Sequence, residues 1–139
     1  MPWPDSSGQL DRALLCLPDE AAPDVDEVQQ TVVMQAAVVA AHWPLEVANA
    51  LLMAVRRGRI DVAFRDAALR DLAALPIALD PETSSRAWRE TLRLAETHRL
   101  TAYDAAYLEL AHRRDLPLAT LDGDLRTAAR ELGVILVGA

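Results

Sequence analysis

Residues 116–137 read L-P-L-A-T-L-D-G-D-L-R-T-A-A-R-E-L-G-V-I-L-V, and their reading decides the fold. The apolar run that begins at Pro117 and closes at Leu121 has the length of a buried strand. Asp122 then opens a helix that runs to Leu132, and Gly133 stands where a helix ends. Val134-Ile135-Leu136-Val137 is a second strand. Two strands joined through a helix run parallel, because antiparallel neighbours need only a short turn.

The same alternation continues upstream. Residues 36–43 (A-A-V-V-A-A-H-W) are short, valine-rich and closed by Pro44, which fits a strand buried on both faces. Pro44 suits the first turn of a helix running to about Arg57, with Gly58 beyond it. Residues 61–74 carry Val62, Ala63, Leu69, Leu72 and Ala73 at helical spacing, and Pro76-Ile77-Ala78-Leu79 is a further strand. Asp80-Pro81-Glu82 opens a helix reaching about His98, and Thr101 opens another reaching about Arg114. Four strands separated by helices predict an α/β protein with a parallel sheet covered on both faces. Residues 24–34 read as helix, whereas the apolar residues 10–17 suit either a helix or a fifth strand. With no linker or repeat, residues 1–139 are expected to form one domain.

Composition narrows the chemistry. All 14 basic residues are arginine, which excludes phosphate-loop lysines, Schiff-base chemistry and pyridoxal chemistry. A net charge of -7 argues against a protein that coats nucleic acid through a general basic face. Cys16 is the sole cysteine, so no disulfide framework exists, and a small buried residue is the expectation. Met1-Pro2-Trp3-Pro4-Asp5 is no secretory signal, and no apolar run approaches the ~20 residues of a membrane span. A soluble, cytoplasmic protein with no membrane partner is expected.

In an open parallel sheet the site forms at the carboxyl ends of the strands, so the acids of first helical turns carry the information. Glu46 lies in W-P-L-E-V-A-N-A-L-L, Asp104 in T-A-Y-D-A-A-Y-L-E-L, and Asp122 and Asp124 in L-A-T-L-D-G-D-L-R. Each has a structural explanation: Glu46 complements a helix dipole, Thr101 with Asp104 has capping-box spacing, and Asp122 suits an N-cap. Gathered at one sheet edge, however, they would repel one another unless a cation sat between them. Carboxylates without a histidine or cysteine partner favour Mg2+ or Mn2+ over zinc. His42, His98 and His112 read as structural or surface residues. A metal-dependent phosphodiesterase or phosphatase follows. Asp122-Gly123-Asp124 also resembles the aspartate pair of haloacid-dehalogenase-type phosphatases, but that pair belongs to a first strand and works with a lysine, which this chain lacks.

Four segments together resemble a PIN domain of the VapC toxin type: W-P-L-E-V-A-N-A-L-L with R-R-G-R-I, L-T-A-Y-D-A-A-Y-L-E-L-A, L-P-L-A-T-L-D-G-D-L-R-T-A-A, and G-V-I-L-V. They stand in the family's order, and L-P-D-E at residues 17–20 extends the match forward. The resemblance implies a three-layer α/β/α sandwich around a parallel sheet, a divalent-metal endoribonuclease, a homodimer, and a VapB-like antitoxin over the active site. Carried across, Glu46, Asp104 and Asp122 match the metal-site acids, Asp124 an additional one, and Thr120 a small hydroxyl residue at a strand end. Asn49 lies one turn after Glu46.

The departure from the family is in residues 1–16. Asp5-Ser6-Ser7 matches the acid and serine that follow the family's central first strand, but Met1-Pro2-Trp3-Pro4 is too short and proline-rich to be that strand. Asp5 is the first candidate for the remaining ligand, Asp11 the second, and a strand at residues 13–17 delivering Asp19 the third. A degenerate PIN-fold protein that binds without cutting is the competing reading. Arg56, Arg57 and Arg59, and Arg113 with Arg114, are candidate RNA-phosphate contacts, or complements to helix C-termini. Trp88, Tyr103 and Tyr107 are expected in core or dimer packing.

Overall fold

The computed structural model describes residues 13–15 and 37–137. Four parallel strands, β1 (Ala13–Leu15), β2 (Ala37–Val39), β3 (Ile77–Leu79) and β4 (Leu118–Ala119), form a sheet in the order β3-β2-β1-β4. Leu14 of β1 pairs with Val38 on one side and Leu118 on the other, so β1 is central. The ambiguous segment at residues 10–17 therefore contains a strand. The 134–137 segment contributes a parallel bridge from Leu136 to Leu118 rather than a full strand.

Between β2 and β3 lie α1 (Trp43–Arg56) and α2 (Val62–Ala73). Between β3 and β4 lie α3 (Thr83–Arg86), a π-helical turn (Ala87–Thr91), α4 (Leu92–His98) and α5 (Ala102–Arg114), and α6 (Gly123–Leu132) follows β4. The first crossover moves outward by one strand and the second returns past β2 and β1 to the far side. Right-handed crossovers in opposite directions put their helices on opposite faces, giving the α/β/α sandwich.

Local chemistry sets the boundaries. Asp61, Thr101 and Asp122 cap α2, α5 and α6 by accepting hydrogen bonds from Phe64 N (2.7 Å), Asp104 N (3.1 Å) and Leu125 N (2.9 Å). Gly133 ends α6 at φ 83°, a conformation glycine adopts without a Cβ penalty. β2 ends earlier than its apolar run, because the chain turns at Ala41-His42 and Trp43 already belongs to α1 with Pro44 in its first turn. The helix expected over residues 80–98 starts at Thr83 and is interrupted by the π-helical turn.

The core lies between the sheet and α5 and α6. Val38, Trp43, Ile77, Tyr107, Leu108, Leu110, Leu118 and Leu125 are buried within it. All of β2 is buried, as a strand covered on both faces requires. α2 contributes little: it has no buried residue, Val62 and Leu69 are exposed, and Leu72 is partly buried against the core. Trp88, expected in core or dimer packing, lies on the π-helical turn and is 90% exposed, which excludes the core position. Tyr103 is also exposed, whereas Tyr107 is fully buried.

Candidate active site

Glu46 stands in the first turn of α1, Asp104 in the first turn of α5, and Asp122 caps α6 just after β4. Glu46 and Asp122 thus follow β2 and β4, where a parallel sheet opens at its carboxyl edge, whereas the helix that Asp104 opens follows α4. Two contacts tie α1 to α5 there. Tyr107 donates its hydroxyl to Glu46 Oε1. His42 Nε2 lies 3.2 Å from the Tyr103 carbonyl and 3.4 Å from Glu46 Oε1. Its ring packs edge-on against Tyr107 with centroids 5.2 Å apart. His42, expected to be a structural or surface residue, thus bridges the two helices.

Asp122 Oδ2 accepts from Leu125 N, while its own amide donates to Thr120 Oγ1 at 3.2 Å. Thr120 is buried and its carbonyl accepts from Arg126 Nη1 at 2.8 Å, so the strand end that presents Asp122 is anchored twice. Asp122 and Asn49 are exposed. Asp124 faces a different space, a cleft of about 260 Å3 also lined by Thr97, His98, Arg99, Thr127 and Glu131. His98 Nδ1 pairs with Glu131 Oε1 across it at 3.0 Å.

A second group of acids is committed elsewhere. Asp80 follows β3 with its amide bonded to Val39 O at 2.7 Å, and its buried carboxylate meets Arg113 Nη2 at 2.5 Å and Arg114 Nη2 at 3.3 Å. Arg113 also reaches Glu109 (2.8 Å) and Glu82 (3.2 Å), and Arg86 Nη2 holds Glu82 at 3.0 Å. Burial pulls the Arg113 pKa down, but hydrogen bonds to Glu109 and Asp80 and their charges outweigh it and hold it above the usual arginine value. Arg113 and Arg114 therefore serve buried carboxylates, which removes the second cluster of candidate RNA contacts. From the sequence alone, Asp80 reads as a helix opener. The one available signal was the helical spacing of Glu109 and Arg113.

The contrast sorts the strand-end acids. Asp80 is neutralised by arginine, whereas among the described residues no arginine pairs with Glu46 or Asp122. An all-oxygen donor set of this kind fits a hard divalent cation. Among the described residues no three His, Cys, Asp or Glu side chains gather closely enough to hold an ion by themselves. Asp5, Asp11 and Asp19 lie outside the described residues. In sequence, Asp19 is the first acid after β1, while Asp5 and Asp11 precede that strand.

The chain is similar to two curated proteins named Ribonuclease VapC3 from Mycobacterium tuberculosis, strains CDC 1551 / Oshkosh and ATCC 25618 / H37Rv. Each is 39% identical over 92 residues, covering 63% of this chain. The match spans 61% of the length of those relatives. The crystal structure of PAE2754 from Pyrobaculum aerophilum superimposes with a TM-score of 0.57 at 28% identity, covering 81% of this chain and 78% of that one. Among the described residues no helix is long and apolar enough to cross a membrane. The model of the PIN domain matches residues 17–131, most of the chain, and the chain belongs to that family.

Proposed function

We propose that this protein is a divalent-metal-dependent endoribonuclease, the toxin half of a VapBC-like toxin and antitoxin pair. The observation that carries the reading is the placement of Glu46 and Asp122 at helix starts beyond β2 and β4, with Asp104 at the start of a helix tied to α1, and with Glu46 and Asp122 unpaired by arginine among the described residues while Asp80 is neutralised. Similarity to proteins named ribonucleases supports it.

In this reading Glu46, Asp104 and Asp122 hold Mg2+ or Mn2+, and Asp19, the first acid after β1, completes the set in preference to Asp5. A divalent cation bound there would supply an activated water and would offset charge on the scissile phosphate. Tyr107 and His42 orient Glu46, and Thr120 holds the backbone that presents Asp122. Arg56, at the end of α1, is exposed and is offered as a phosphate contact. A second copy of the chain and a VapB-like antitoxin are the proposed protein partners. Leu45, Val62, Phe64 and Leu69, exposed on α1 and α2, form the kind of apolar surface such partners cover.

The test is cleavage of RNA by purified protein with Mg2+ or Mn2+, its loss on chelation, and its loss in Glu46→Gln and Asp104→Asn. No cleavage by the wild-type protein, or equal cleavage by the variants, rejects the reading. One observation favours the alternative of a PIN-fold protein that binds without cutting: no three-ligand cluster closes among the described residues. Metal-dependent cleavage would exclude that alternative.

A further inference from the structure

We propose that Tyr107 is a positioning residue that sets Glu46 against Asp104, an inference that rests on the reading of Glu46 as a metal-site acid. Tyr107 is fully buried, and its ring packs among core residues where a phenylalanine would fit equally well. The hydroxyl is a different matter, because burying it costs free energy unless a partner accepts its proton. The partner is Glu46 Oε1, on another helix.

His42 Nε2 approaches that same oxygen, at 3.4 Å. Every contact made by the Glu46 carboxylate among the described residues therefore falls on Oε1, and Oε2 accepts nothing. Among the described residues, then, one oxygen is anchored and the other stays open to a ligand. Asp104 lies one turn before Tyr107 on α5, so the phenol couples the carboxylate of α1 to the helix that carries the second acid. A carboxylate held in this way spends no rotamer freedom when it binds a cation, and loss of such outer contacts weakens binding at metal sites generally.

The experiment is an Mn2+ titration followed by electron paramagnetic resonance on the wild type, Tyr107→Phe, Glu46→Gln and the double variant. Tyr107→Phe should unfold cooperatively yet bind Mn2+ about tenfold more weakly. The double variant should bind no more weakly than Glu46→Gln alone, because the proposed role of the hydroxyl runs through that carboxylate. Unchanged Mn2+ affinity in Tyr107→Phe, or losses that add in the double variant, overturns the proposal. A measurement on the wild type stands independently of whether the variants fold: the Tyr107 Cζ carbon resonance should move on saturation with Mg2+. A stationary resonance while Mg2+ binds also overturns it. Wild-type protein that takes up neither cation overturns the metal-site reading itself, a separate outcome visible before any variant is compared.

Discussion

Arg113 Nη2 lies 2.5 Å from Asp80 Oδ2, joining the last turn of α5 to a carboxylate that is 1% exposed at the end of β3. The same guanidinium donates to Glu109 and Glu82, and Arg114 pairs by charge with Asp80 Oδ1, which lacks a well-aligned hydrogen bond. Removing one partner of a buried pair is costly because the other charge is left stranded. Arg113→Met should therefore lose about 3–5 kcal/mol, read as a fall in the urea midpoint. Arg113→Lys should recover little, since a single ammonium has no planar fork to meet three carboxylates. Adding Asp80→Asn to Arg113→Met should restore part of the loss, and a further drop would show that Asp80 is not the stranded charge.

Glu82 titrates below its ordinary value of 4.5, held there first by the hydrogen bond from Arg86 and then by the charge of Arg113. A carboxylate depressed in the folded state stabilises the protein fully above its unfolded pKa. That contribution is lost as the pH falls through the depressed value. Stability should thus decline as the pH drops below 4.5, and Glu82→Gln should flatten that part of the profile. The side chain is 47% exposed, so the difference should be small and should shrink with added salt. Urea midpoints measured down through this range decide it, and parallel profiles for the two proteins would refute the assignment.

Arg99 ends α4 at φ 57°, in the left-handed region that side chains with a Cβ enter at a cost. Glycine relieves that strain but gives the unfolded chain more freedom, which takes back part of the gain. The balance for Arg99→Gly should be stabilisation of roughly 0.5–1 kcal/mol, seen as a higher melting temperature. A lower one would mean that the side chain contributes more to the cleft beside Asp124 than its backbone costs.

The strands at 37–39, 77–79 and 118–119 were legible because each is a short apolar run bounded by proline or a helix-opening acid. β1 was not, since residues 10–17 are apolar enough for helix or strand, and pairing with β2 and β4 decides between them. No local signal marks the π-helical turn at Ala87–Thr91. Trp43 read as strand because a buried aromatic ends an apolar run there, yet the chain has already turned. The acids of the candidate site were legible from their helix starts. Their supports were not: Tyr107 has the spacing of an ordinary core residue, and its partner Glu46 is distant in sequence.

Asp122 separates capping from ligation, because the two roles ask different things of its oxygens. As N-cap it needs one acceptor for Leu125 N, which asparagine supplies as well as aspartate. As a ligand for a hard cation it needs its negative charge. Asp122→Asn should therefore keep the wild-type melting temperature and lose Mn2+ affinity and RNA cleavage. Asp122→Ala should lose the cap as well, costing about 1 kcal/mol. If Asp122→Asn cleaves RNA normally while Asp122→Ala is merely less stable, the residue is a cap and nothing more, and the metal site must be built from Glu46, Asp104 and an acid beyond β1.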